Sequence, residues 1–197
     1  MAAKPDPEKV AKLQAAIEEY ESGASSALFD RSNEEALAPV RKRALGLLDQ
    51  RARSRHELRE RLLKAEFAPE LVNDVCDEFE RTGLLNDQTF AREWVRQRAA
   101  RRGKSSRTLN RELQEKGVAS AIRVEAISQL SAEDEEKTAR VIAEKKARSV
   151  KEVPEDRAAY DKVLRRVVGA LARRGFPSAM SFSIAKAALD DQLEQLH

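Results

Sequence analysis

The chain has 197 residues, of which 36% are charged and 5% aromatic, with only 7 Gly and 6 Pro. This composition favours a mostly helical protein with thin cores and argues against one thick globular core. The single cysteine, Cys76, excludes an intramolecular disulfide framework, and no stretch approaches the roughly 20 apolar residues of a membrane span. Since the N-terminus also lacks the apolar run of a secretory signal, we expect a cytoplasmic protein.

The net charge of +3 is unevenly distributed along the chain. Residues 1–40 contain 4 Lys/Arg and 8 Asp/Glu, whereas the remainder contains 33 Lys/Arg and 26 Asp/Glu. The excess of cations after residue 40 indicates an acidic partner for that part of the chain.

The acidic beginning of the chain, residues 1–37, is predicted to be an extension outside the main fold. Val10, Leu13, Ile17 and Tyr20 fall at helical spacing, so a short amphipathic helix is plausible before the small-residue linker at 22–26. Three roles stay open for this extension: a disordered tail, an additional helix, or an autoinhibitory cover over the basic surfaces.

A short sequence motif occurs three times in the rest of the chain. A Leu is followed five residues later by Phe or Val in residues 62–67, 113–118 and 171–176, at offsets of 51 and 58 residues. Internal repeats bury their apolar faces against their neighbours, so function is expected to be spread over a surface. We predict an all-α protein of three tandem three-helix repeats that form an elongated, curved array.

Capping and turn residues mark the predicted helices in chain order. Ser54 and Glu57 have capping-box spacing at the second helix, Pro69 begins the third, and Asn86 caps the fourth. Ser131 and the acidic turn after it begin the seventh helix. The resulting repeats span residues 38–86, 87–131 and 132–197, with an insertion in the third repeat near residues 150–156.

The densest basic stretch runs from Arg96 to Arg111 and contains no acidic residue. Such a stretch suits a polyanion through phosphate contacts and counterion release. The alternative is a solvated face whose cations favour a helix C-terminus.

Helical geometry separates these cations by the side of the helix on which they fall. Arg98 falls on the core stripe with Trp94, so we assign it a structural role with its guanidinium paired. Arg96, Arg107 and Arg111 fall on outward faces and are better contact candidates. Trp94 is interpreted as a core residue, although an exposed Trp could also stack on a base.

In the third repeat, Lys162, Arg166 and Arg173 share one outward face, with small Gly169 and Ala170 between them. This strip would let a partner backbone approach closely, but it could equally be a solubilising face.

No pattern predicts catalysis, and we expect no metal and no cofactor. The sequence 103–105 resembles the end of a P-loop, but Arg98 stands where the motif's first glycine would be, and a helical segment precedes it. His56 and His197 are far apart, and Cys76 reads as a buried small hydrophobe.

One segment carries a family resemblance that covers roughly residues 38–193. The chain strongly resembles the RecX family of recombinase regulators, most specifically over residues 83–118. The residues that carry it are Gly83, Leu84, Leu85, Asn86, Asp87, Phe90, Ala91, Trp94, Val95, Arg98, Gly103, Arg111, Glu112, Leu113, Lys116, Gly117 and Val118. One departure is Glu66, where the other repeats have Gly117 and Gly175.

The resemblance implies a modulator, usually an inhibitor, of the RecA recombinase in DNA repair, recombination and the SOS response. Such proteins lodge in the groove of the RecA–DNA filament, have no catalysis of their own, and bind single- and double-stranded DNA more weakly. A monomer is expected, since no long heptad pattern is present. Two alternatives remain: a helical-repeat protein acting directly on duplex DNA, and a helical protein-interaction scaffold.

Reversing the charge at Arg107 and Arg111 is expected to weaken filament inhibition without loss of helicity. Two groups of residues follow from the patterns above. The candidates for contact with RecA or DNA are Arg96, Arg101, Arg102, Lys104, Arg107, Arg111, Lys162, Arg166 and Arg173. The predicted structural core consists of Leu58, Leu62, Phe67, Phe90, Trp94, Arg98, Leu109, Leu113, Val118, Val167, Leu171 and Phe176.

Overall fold

The computed structural model describes residues 31–196, which form nine α-helices and no β-strand, confirming the predicted all-α class. The helix predicted around residues 10–20 and the linker at 22–26 lie outside the described residues. The helices are α1 (Arg31–Gln50), α2 (Arg55–Leu63), α3 (Pro69–Arg81), α4 (Asp87–Arg102), α5 (Ser106–Glu115), α6 (Ser120–Ile127), α7 (Ala132–Ala147), α8 (Arg157–Ala172) and α9 (Ser178–Glu194).

The helices pack in consecutive threes, and each three encloses a core of its own. In the first unit, α1, α2 and α3 bury Val40, Leu58, Leu62 and Phe79. Leu37 lies in the same core, and α1 begins at Arg31. Helix α1 therefore includes residues 31–37, which the sequence analysis placed in the acidic extension.

The cores of the second and third units differ in the size of the side chains that line them, and the small ones of the third unit let its helices pack more closely. The second unit, α4–α6, packs around Phe90, Leu109 and Leu113. The third unit, α7–α9, is lined on α7 by buried alanines at every fourth position, Ala139, Ala143 and Ala147. Small side chains at this spacing allow the contact between α7 and α9 to be close.

Side-chain caps begin the helices where the sequence placed them. Ser54 Oγ accepts from the Glu57 N–H at 3.1 Å, Asn86 Oδ1 from Thr89 N–H at 2.9 Å, and Ser131 Oγ from Asp134 N–H at 3.0 Å. The capping box predicted at Ser54 forms only in part. The Glu57 carboxylate is held by other cations and accepts from Arg51 at 3.0 Å.

The repeated turn is the joint between successive units. The turn of the second unit lies on the N-terminus of α2 in the first, where Ser54 Oγ donates to Lys116 O at 2.6 Å. Gly117 has a φ of +70°, and a Cβ added there would lie 2.4 Å from His56 Cβ. Glycine is therefore required at residue 117 both by backbone conformation and by the neighbouring unit.

The second joint repeats the first. Ser105 N–H donates to Arg174 O at 3.0 Å, and a Cβ on Gly175 would lie 1.9 Å from Thr108 Oγ1. Glu66 holds the same turn position in the first unit, with a φ of +62°, but it is exposed. No described unit packs on that turn, which explains why a side chain is tolerated there.

The insertion predicted in the third repeat is divided between a loop and a helix. Residues 148–156 connect α7 to α8, where the second unit has only residues 103–105, and α8 has 16 residues against 10 in α5. None of the described helices is long and apolar enough to cross a lipid bilayer.

Candidate binding groove between the second and third units

A groove of about 960 Å³ lies where the C-terminal half of α4 meets α7. It forms because the Gly175 joint brings the third unit against the end of α4, where Gly103 lies beside Ile142. Its lining combines an apolar floor with a cationic rim. The floor includes Val95, Ala99, Leu130, Val141 and Ile142, and the rim includes Arg96, Arg101, Arg102, Lys137, Lys145 and Arg174. One carboxylate, Asp134, also lines the groove, where it accepts a hydrogen bond from Ser131 Oγ at 2.7 Å, so the lining has six cations against one anion.

The floor of this groove is unusually open for apolar residues. Val95 is buried in the second core, and Ala99 and Ile142 are partly buried, but the Val141 side chain is 63% exposed. Scattered surface hydrophobes need no explanation, yet one that continues a buried apolar surface into a cleft marks a binding site.

The rim carries cations with no carboxylate partner within the described residues. Arg101, Arg102 and Lys145 belong to no ion pair there, whereas Arg96 pairs with Glu93 at 2.6 Å and Lys137 with Glu133 at 2.8 Å. Both of these pairs are exposed, so water and salt screen them. The hydrogen bonds that Arg96 donates to the Glu93 carboxylate raise the pKa of Arg96, which stays charged in any case. The groove is therefore open to an anionic partner.

Arg174 completes the rim through backbone contacts. Its Nη1 donates to Ala170 O at 2.8 Å and its Nε donates to Arg102 O at 3.3 Å. The same residue accepts from Ser105 N–H through its own carbonyl. Arg174 thus links the joint to the groove and brings a cation that the sequence prediction did not include.

Lys104, one of the predicted contact candidates, is paired with a carboxylate of the second unit. Its ammonium contacts Glu112, and only 22% of its side chain is exposed. Burial opposes ionisation of Glu112, but hydrogen bonds from Lys104 and Trp94 outweigh it and lower the pKa of Glu112. The charge of Lys104 is therefore balanced by Glu112 within the second unit, and its contact with a partner stays a prediction.

Trp94 and Arg98 belong to the same cluster. Arg98 Cζ lies 3.6 Å and Lys116 Nζ 4.3 Å from the centre of the Trp94 ring, and the indole N–H donates to Glu112 at 3.0 Å. Arg98 also approaches Glu112 at 3.7 Å. With its ring beside two cations and its N–H donated, Trp94 has the environment of a packing residue.

The two cations predicted on α5 do not line the groove. Arg107 lines a separate cleft of about 520 Å³ with Val124 and Ile127, which meets the groove only at Leu130. Arg111 is exposed and lies 3.9 Å from Glu115. These two residues therefore present their charge outside the groove lining.

The strip predicted on α8 is also separate from the groove lining. Lys162, Arg166 and Arg173 are exposed, and none of the three belongs to an ion pair among the described residues. Gly169, between them, has only Arg173 Nη1 near the position of an added Cβ, at 3.3 Å. The strip is an independent basic surface of the third unit.

The residues predicted as core lie mostly inside the three cores, with Phe67 and Trp94 partly buried at their edges. The side chain of Arg98 is 25% exposed. The buried members are Leu58, Leu62, Phe90, Leu109, Leu113, Val118, Val167, Leu171 and Phe176.

Three groove residues missed by the sequence prediction follow a readable pattern. Lys137, Val141 and Lys145 are four residues apart on α7 and therefore share one face of that helix. An apolar residue between two cations on the solvent face of a helix indicates a binding surface, and this pattern is visible in the sequence.

Comparison with known proteins identifies the family. The sequence profile of the RecX second three-helix domain matches residues 86–127, and that of the RecX first three-helix domain matches residues 41–79. The regulatory protein RecX of Corynebacterium efficiens is 56% identical over 95% of this chain and 91% of its own length. This chain belongs to the RecX family.

Further relatives agree with this assignment. The regulatory protein RecX of Streptomyces coelicolor is 39% identical over 88% of this chain and 92% of its own length. The crystal structure of RecX from Lactobacillus salivarius, at 20% identity, matches with a TM-score of 0.66 over 80% of this chain and 98% of that one. At that identity the structural likeness shows the three-unit RecX fold alone.

Proposed function

We propose that this chain modulates the RecA recombinase, as an inhibitor, by binding the RecA–DNA filament. Membership of a family of regulatory proteins supports a regulatory role, and the family name points to the recombinase. The observation that carries the proposal is the groove between α4 and α7, where Arg101, Arg102 and Lys145 have no carboxylate partner among the described residues.

Three stacked units suit a filament better than a single small ligand. The groove, the α5 cations and the α8 strip lie on different parts of the array, so each can make a weak contact with a different protomer. Linked weak contacts add through effective concentration, and binding is then much tighter than any one contact. The proposal includes contact by all the predicted cations, namely Arg96, Arg101, Arg102, Lys104, Arg107, Arg111, Lys162, Arg166 and Arg173.

The same proposal places the protein in the bacterial cytoplasm, as a monomer that acts in DNA repair and recombination and in the SOS response. It performs no catalysis and regulates by occupying the filament. The basic surfaces give it a weaker affinity for DNA alone, which falls as salt rises because counterions compete for the phosphates.

ATP hydrolysis by RecA on single-stranded DNA tests the proposal. Increasing amounts of this protein should lower the hydrolysis rate at ratios well below one molecule per RecA protomer. A rate that stays unchanged up to equimolar protein removes the proposal. A fall that also occurs when excess duplex DNA is added excludes simple sequestration of the DNA.

A further inference from the structure

We propose that the groove between α4 and α7 receives an acidic, amphipathic protein segment, with an apolar side chain on the floor and carboxylates on the rim. The inference rests on the proposed function and deepens it, since it assigns this groove to the protein of the filament and not to its DNA. Both the protein and the DNA of the filament are anionic, so charge alone does not distinguish them. The other features of the groove do.

The apolar floor is the first reason. Val141 is 63% exposed and continues into partly buried Ala99 and Ile142 and the buried Val95. A phosphodiester backbone gains nothing from covering such a surface, whereas an apolar side chain gains about 25 cal/mol for each Å² it removes from water. The floor is matched by a protein segment that carries at least one large apolar residue.

The spacing of the rim is the second reason. Lys137 and Lys145 lie one helical turn on either side of Val141, so the three positions are separated by about 6 Å along α7. Arg101 and Arg102 close the opposite side of the groove at the end of α4. A helix with an apolar residue flanked by Glu four positions before and after it has the complementary pattern.

The third reason is that the backbone donors beside the groove are already used. The N-terminus of α5 would be the natural phosphate site, because free N–H groups at helix N-termini bind anions. Ser105 N–H is taken by Arg174 O, and Ser106 N–H donates to Glu135 Oε1 at 2.9 Å.

The Val141→Lys variant separates the two classes of partner. It adds a cation and removes the exposed apolar side chain, and Lys is a better helix former than Val. Phe182→Lys is the matched control, since Phe182 is 53% exposed on α9 and lies outside the groove lining. Affinities are measured for RecA filaments on single-stranded DNA and for the same DNA without RecA.

We expect the Val141→Lys variant to bind the filament about tenfold more weakly, as loss of an apolar anchor does. Its affinity for DNA alone should be unchanged or higher, and Phe182→Lys should bind the filament within about twofold of the original chain. Val141→Gln, which adds no charge, should show the same selective loss and replaces Val141→Lys if that variant loses helicity.

Filament binding by both Val141 variants at the original affinity overturns the inference and leaves the proposed function in place. Failure of the unaltered chain to bind the filament overturns both. Weakened binding to DNA alone by the same factor as to the filament also overturns the inference, since the groove would then be a nucleic-acid site.

Discussion

Gly175 shows at the residue scale how much of the sequence is committed to joining the units. Its φ is +86°, and an added Cβ would meet Thr108 Oγ1 at 1.9 Å and Ser105 Oγ at 2.8 Å. Gly117 has the same role one unit earlier. Glu66 has the same backbone conformation without the neighbour, so the repeated turn accepts a side chain only where it is exposed.

Gly175→Ala should destabilise the protein by about 3 kcal/mol, because the new Cβ both strains the left-handed backbone and overlaps with the side chain of Thr108 on α5. Gly83→Ala is the matched control: Gly83 has a φ of +77°, but nothing lies within 4 Å of an added Cβ. That control should lose only about 1 kcal/mol, the cost of the left-handed conformation alone. Urea unfolding measures both, and equal losses would contradict the role of Gly175 as a joint.

At the element scale, one carboxylate links the first two units. Glu57 on α2 accepts from Lys116 Nζ at 2.5 Å and from Arg51 Nη2 at 3.0 Å. Burial opposes its ionisation, but the hydrogen bonds from Arg51 and Lys116 outweigh burial and lower the pKa of Glu57 to about 2. The folded protein therefore binds a proton at this site less readily than the unfolded chain does.

This depressed pKa predicts a loss of stability in acid. The contribution of Glu57 is complete above about pH 5 and is lost as the pH falls toward 2, and we expect it to be about 1–3 kcal/mol. Glu57→Gln should flatten that part of the stability profile. Glu133→Gln removes an exposed pair with Lys137 and should leave the profile as it is. Chemical denaturation at a series of pH values measures this, and an unchanged slope in Glu57→Gln contradicts the prediction.

The sequence predicted the helices well because their signals are local. Caps such as Ser54, Asn86 and Ser131, and the turn glycines, lie within a few residues of the boundaries they mark. The groove could not be predicted in the same way, since Arg101 on α4 and Lys145 on α7 meet only through the joint at Gly175.

The ion pair of Lys104 was also not predicted from the sequence. The basic stretch was ended at Arg111, one residue before Glu112, which is the carboxylate that Lys104 contacts. Lys104 precedes α5 and lies eight residues before Glu112 in the chain, so their contact depends on the fold of the turn between α4 and α5 and not on helical spacing.

At the scale of the whole molecule, the three units separate the basic surfaces of the array. The groove cations are brought together by two units, whereas Arg107 and Arg111 lie on α5 beside another cleft or an acidic neighbour. Because contacts to a filament add through linkage, losing either set should weaken inhibition without abolishing it. The groove set should matter more, since it is joined to an apolar floor.

We propose above that the groove between α4 and α7 binds a segment of the RecA filament. The most direct measurement is RecA-dependent ATP hydrolysis on single-stranded DNA, titrated with the original chain, with Arg101→Glu/Arg102→Glu and with Arg107→Glu/Arg111→Glu, all at equal far-UV helicity. Half-inhibition by the groove variant should require about tenfold more protein, and the α5 variant should require less of an increase. Half-inhibition by the groove variant at the concentration of the original chain, at low and at high salt, would contradict the claim.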